Sequence, residues 1–254
     1  MLTQHSLDRV LTLTLNRPDK RNALNSELAS SLLSALKEAE RADIKVIVLQ
    51  AAGTVFSAGA DLDALSKLQS ASYEENLADS TLLANLFESV IRHPKPIISL
   101  IQGDAIAGGC GLATAADISI ASDTARFGYT ETAIGFVPAI VSAILLRKVG
   151  ETHARRLLLG AQRISAQEAQ NFGLVTEVVP AVDLESRGRW WASRFVNDLS
   201  GSAMARTKGL LADQAGLSLS QQFELAAKTN AQARGDEDCR EGVRRFLSNE
   251  TQRW

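Results

Sequence analysis

Leu11, Leu13 and Leu15 alternate with Thr12 and Thr14, a period of two that predicts a strand with one buried face, and Asn16-Arg17-Pro18-Asp19 then breaks it as a turn. From Asn25, a side chain suited to capping, the apolar positions Leu28, Leu32, Leu33, Leu36 and Ala39 recur at helical spacing. The run Val46-Ile47-Val48-Leu49 is continuous and β-branched, as expected of a strand covered on both faces. A helix is predicted over 74–91, with Leu77, Leu82, Leu86 and Val90 inward, and Pro94 and Pro96 end it before a buried strand at 97–101. Further strands are expected at 118–121 and 174–179, and helices at 139–148 and 152–159. Ser165 and Glu168 form a capping box that opens one more helix, closed by Gly173. Residues 183–247 read as helical throughout, so an α/β core is followed by a helical tail, with the boundary near Val179.

A chain of 254 residues can bury a large apolar interior. Its 27 Lys and Arg nearly balance 29 Asp and Glu, which argues against a nucleic-acid partner, although Arg187, Arg189, Trp190, Trp191 and Arg194 cluster on one expected amphipathic helix. Cys110 and Cys239 are too few for a disulfide framework and suit a reducing compartment. No membrane-spanning run or secretory leader is evident, so a cytoplasmic location is expected. His5, His93 and His153 have no metal-ligand spacing, and Ser57 lacks the elbow of a serine hydrolase.

Two glycine-bearing loops carry the candidate chemistry. Ala107-Gly108-Gly109-Cys110-Gly111 joins an apolar strand to an alanine-rich helix but lacks the third glycine of a dinucleotide fingerprint. Ser57-Ala58-Gly59-Ala60-Asp61-Leu62 repeats the arrangement upstream, with Asp61 placed to cap a helix bearing Leu62, Leu65 and Leu68 on one face. Backbone N–H groups left unpaired at such starts can pinch a single carbonyl oxygen; tight packing turns would look the same.

The segments AGADL at 58–62, the glycine loop at 108–111, FGYTETAIGFVPA at 127–139, RRLLLGAQRISAQEAQNFGLV at 155–175 and EGVRRFL at 241–247 together resemble, in order and spacing, the enoyl-CoA hydratase/isomerase (crotonase) superfamily. The resemblance implies an α/β fold, a spiral of repeated ββα units over 1–179 carrying the acyl-CoA site. It further implies a C-terminal helical region, 180–254, for oligomerisation and site closure, with assembly as a homotrimer or homohexamer. It implies an acyl-CoA thioester partner with no other cofactor, its carbonyl polarised by the amides of Ala60 and Gly108. Lys20, Arg21, Ala23, Ala58, Asp61, Leu62 and Phe246 fall at CoA-contacting positions, the last often serving a neighbouring subunit.

Hydratases of this family commonly pair two glutamates. The second aligns with Glu131, but the first falls at Gly111, so Glu131 is left with most of the proton work. Asp104 and Asp117 flank the loop as conceivable substitutes. The run GFVPAIVSAILLRKVGE at 135–151 is similar to methylglutaconyl-CoA hydratase-like members, which favours hydration. A Δ3,Δ2-enoyl-CoA isomerase using Glu131 alone is the nearest alternative. Thioesterase or dehalogenase chemistry, or a catalytically silent acyl-CoA- or RNA-binding member, remain as others.

Overall fold

The computed structural model describes residues 1–252 and 254 of the chain. Strands β1 (Leu2–Leu7) and β2 (Val10–Leu15) form an antiparallel hairpin whose two-residue turn, Asp8-Arg9, has positive φ at both positions. That turn matches the twist of the strands it joins. The predicted alternation holds in β2, where Leu11, Leu13 and Leu15 are buried. β1 was not expected from the sequence: it is an edge strand whose residues are almost all exposed, so it carries no apolar pattern.

After α1 (Ser26–Glu38), capped by Asn25 accepting from Leu28 N, the chain enters β3 (Val46–Ala51). Ile47 and Leu49 face the main core, while Val46 and Val48 join Ile98, Leu100 and Ile120 beneath α7 (Leu184–Asn197). Both faces are therefore covered, and each fully buried aliphatic side chain contributes about 1.5–3 kcal/mol. Helices α2 (Leu62–Leu68) and α3 (Tyr73–Arg92) follow, α3 opened by a Ser72/Glu75 capping box. Leu86 and Val90 are buried as expected, but Leu77 is exposed, and α2 buries none of its residues.

The rest of the core repeats one unit. β4 (Ile97–Ile101) leads to β5 (Ala105–Ile106) and α4 (Gly108–Ala115); β6 (Ile118–Ser122) leads to β7 (Arg126–Gly128), a 3-10 turn at Glu131–Ile134 and α5 (Ala139–Gly160). In α5 the two predicted helices meet at Gly150, whose φ of 70° kinks the axis. β8 (Arg163–Ser165), α6 (Ala166–Asn171) with its Ser165/Glu168 box, and β9 (Glu177–Val179) complete it, β9 shorter than the predicted 174–179.

The large sheet runs β1-β2-β3-β4-β6-β9, parallel except for the hairpin; the small one runs β5-β7-β8. A parallel bridge between Ser57 and Ala105 extends the small sheet toward the first glycine loop. Successive turns of the chain thus place β3 with Ser57, β4 with β5, and β6 with β7, one segment per sheet, so equivalent loops stack side by side. Beyond β9, α7 is followed by α8 (Gly201–Asp213), α9 (Leu219–Ala233) and α10 (Glu237–Leu247); α9 and α10 bury no residue. No helix among the described residues is long and apolar enough to cross a membrane.

Candidate active site

The stacking brings the two glycine loops into contact. Ser57 O accepts from Ile106 N at 2.9 Å, and Asp104 O accepts from Phe56 N and Ser57 N at 3.0 and 3.2 Å. At Gly59, where φ is +89°, a Cβ would lie 2.8 Å from both Ile106 O and Ala107 Cβ, and 3.4 Å from Gly108 N. Only a residue without a side chain permits that approach.

Ala60 pairs with Leu24 in a parallel bridge: Leu24 N donates to Gly59 O at 2.7 Å and Asp61 N to Leu24 O at 2.8 Å. The groups flanking Ala60 are used in that bridge, while the N–H of Ala60 has no partner among the described residues. The N–H of Gly108, first residue of α4, has none either, since the first amides of a helix lack an acceptor one turn back. Ala107 before it holds φ 52°, ψ −129°, a conformation costing a non-glycine residue about 1–3 kcal/mol, and its N–H is tied to Gly128 O at 2.7 Å. Two partnerless donors, 48 residues apart in sequence, thus sit on loops that touch at Gly59.

Glu131 opens the turn after β7. It is 8% exposed, and its Oε2 has no hydrogen-bond partner among the described residues. Burial raises its pKa above the ordinary carboxylate value. A buried carboxyl with no cation beside it is costly to keep and marks a candidate proton-transfer group. Tyr129, fully buried two residues earlier, also has an unpartnered hydroxyl, near Cys110, whose thiol burial pushes up to about 12. Cys110 is thus a buried packing residue with little thiolate character.

A cleft of about 400 Å³ opens beside the loops. Lys20, Arg21, Ala23, Ala58, Ala60, Asp61 and Leu62, all singled out from sequence, line it. Asp61 caps α2 by accepting from Asp63 N and Ala64 N, and Arg17, 2.9 Å away, holds its carboxyl below the usual range. Lys20 Nζ is 2.9 Å from Asp63 Oδ2, which raises the pKa of the ammonium. Ala58 N donates to Arg21 O at 3.0 Å, fixing the basic turn against the first loop. Phe246, on α10, is 76% exposed and does not line the cleft of its own chain.

Sequence reasoning missed Val55, Ile106, Thr130 and Arg163, which also line the cleft together with Asp104, weighed from the sequence as a substitute acid. These lie on or beside the two- and three-residue strands of the small sheet, which leave no periodic signal. Of the conceivable substitutes for a second acid, Asp117 is committed elsewhere, its Oδ2 accepting from Ile97 N at 2.7 Å and from Lys208 Nζ at 2.6 Å. Asp104 faces Arg163 in the cleft. At Gly111 a Cβ would meet Val141 Cγ1 at 2.6 Å, so this neighbour fills the place where a longer side chain would start. No group of three or more His, Cys, Asp or Glu able to hold a metal occurs among the described residues.

A family model described as enoyl-CoA hydratase/isomerase matches residues 6–254. A Thermus thermophilus protein whose enoyl-CoA hydratase name is itself provisional is 39% identical over 255 residues, covering 100% of each chain. The 2,3-dehydroadipyl-CoA hydratase of Escherichia coli is 35% identical over 251 residues, covering 96% of this chain and 94% of that one. The crystal structure of human enoyl-CoA hydratase domain-containing protein 3 superposes with a TM-score of 0.93 at 29% identity, covering 100% of this chain and 99% of the other.

Proposed function

The chain belongs to the enoyl-CoA hydratase/isomerase family and has its crotonase fold, and from that premise we propose that it is a hydro-lyase adding water reversibly across a 2-enoyl-CoA thioester, with one carboxyl group moving the protons. The observation that carries this reading is the contact between the loops that bear two partnerless amides, Ala60 and Gly108, together with a buried carboxyl, Glu131, that is unpartnered at Oε2 among the described residues and lies three residues beyond the Gly128 carbonyl that accepts from Ala107 N.

In this reading the thioester oxygen accepts from both amides. The Glu131 carboxylate takes a proton from water as the water oxygen bonds to C3. The C2–C3 π electrons then move toward C1, and the resulting enolate oxygen is stabilised where its charge develops. Glu131, now protonated, returns that proton to C2 as the thioester carbonyl re-forms, so one water is consumed and no acid is left over. Burial of Glu131 serves both halves, because a raised pKa makes the carboxylate a better base and leaves its protonated form populated nearer neutrality. Lys20 and Arg21 meet the CoA phosphates, and Ala23, Ala58, Asp61 and Leu62 shape the adjoining wall. The bare faces of α9 and α10 support assembly as a trimer or paired trimers, with Phe246 turned toward a neighbour's site.

The Gly111–Val141 contact favours a second reading as well: a site with one carboxyl group can shuttle a proton between C2 and C4 and so isomerise a 3-enoyl-CoA. Incubation with each substrate separates the two. Loss of conjugated-thioester absorbance with a gain of one water in product mass supports hydration. A rise from the 3-enoyl substrate at constant mass supports isomerisation. Silence with both overturns the enzymatic reading.

A further inference from the structure

Arg163 starts β8 and lines the same cleft as Lys20 and Arg21. Its backbone is held firmly: it pairs with Gly128 of β7, and a Cβ on Gly128 would lie 3.3 Å from Arg163 Cα. Gly128 O in turn accepts from Ala107 N, so Arg163 stands on the same strand ladder as the second glycine loop. Its side chain is 56% exposed, and the nearest charge is Asp104, with Nη1 to Oδ2 at 3.6 Å, too long for a hydrogen bond. Of the neighbouring cations, Arg21 lines the cleft too, whereas Arg17 is spent, donating to Asp61 and to Ala23 O. The Lys20 ammonium already has Asp63.

We propose that Arg163 is a phosphate-binding residue of this cleft, taking the nucleotide end of CoA together with Lys20 and Arg21. The inference rests on the acyl-CoA reading above. Asp104 holds the guanidinium over the cleft without consuming its donors, and a planar fork of N–H groups matches phosphate oxygens two at a time. The charge of the cleft gives such a cation a purpose. Asp19, Asp61, Asp63 and Asp104 line it as well; Arg17 balances Asp61 and Lys20 balances Asp63, which leaves Arg21 and Arg163 to offset Asp19 and Asp104 and to meet an incoming polyanion. The pantetheine arm is uncharged, and only the diphosphate and ribose phosphate require the guanidinium.

The test compares a 2-enoyl-CoA with the corresponding 2-enoyl-pantetheine thioester, which lacks every phosphate of the nucleotide. Arg163→Met is expected to raise KM for the CoA thioester ~10-fold, the loss of one charge-assisted contact. The increment should disappear with the pantetheine thioester. An equal increment on both substrates, or none on the CoA thioester, overturns the assignment. Should Arg163→Met not fold, Arg163→Gln decides by the same comparison: it keeps a polar side chain but no charge, so the increment should again appear on the CoA thioester and not on the pantetheine thioester, and an equal or absent increment overturns the assignment. Absence of CoA binding by the unaltered protein would instead remove the underlying reading, a result distinct from either.

Discussion

A Cβ placed on Gly111 falls 2.6 Å from Val141 Cγ1, closer than unbonded carbons approach. Val141, 3% exposed in the first turn of α5, occupies the volume that a side chain leaving position 111 would need. Gly111→Glu alone should therefore overpack the core and cost about 1–3 kcal/mol, seen as a lower melting temperature. Gly111→Glu combined with Val141→Ala should recover part of the loss. A single variant melting with the parent protein would show that α5 moves aside freely.

If Glu131 moves the protons and makes no nucleotide contact, as proposed, Glu131→Gln should lower turnover at least ~100-fold while sparing affinity for CoA. Its stability effect has a definite sign. A carboxyl whose pKa is raised in the folded state is penalised once ionised, so the penalty is absent below the ordinary carboxylate range. It then grows as pH rises through the raised folded value. The glutamine variant should melt above the parent at neutral pH and converge with it in acid; a gap independent of pH would mean that the charge is not the cause. The limb of kcat/KM that reports the base should lie above the ordinary carboxylate range for the same reason.

Gly59→Ala should separate the two loops, because the added methyl would sit 2.8 Å from Ile106 O at a φ that L-residues rarely adopt. If Ala60 and Gly108 act together on one oxygen, kcat should fall about a hundredfold or more. Steady-state kinetics on a 2-enoyl-CoA check this, and a change confined to KM would separate the loops' proximity from the chemistry.

If α10 forms the subunit contact proposed above, Phe246→Asp should convert the assembly to smaller species in light scattering. Phe246, Val243 and Leu247 are exposed on a helix that buries nothing within its own chain. The same variant measured for CoA affinity would show whether a neighbour contributes to the cleft. An unaltered mass would place the interface elsewhere.

What could be read from the sequence follows how each element is buried. β3, β4 and β6 announce themselves as apolar runs because helices or sheets cover both their faces. β1 does not, since its exposed edge needs no apolar residues, and β5, β7 and β8 are two or three residues long, held by their neighbours rather than by local preference. In the site, the glycine loops and Glu131 stand out as motifs, and the family resemblance gives them roles. The fit of Val141 against Gly111, the isolation of Glu131 Oε2 and the Arg163–Asp104 wall arise only when distant turns of the spiral stack.

The bond from Ala107 N to Gly128 O joins the residue preceding one candidate donor to the strand that runs, three residues later, into Glu131. Donor and acid hang from a common anchor. Thermal breathing of the scaffold would carry both along together, preserving their spacing, while the outer rim of the cleft, the Lys20 turn and α2, is tied by ion pairs of its own, Arg17–Asp61 and Lys20–Asp63.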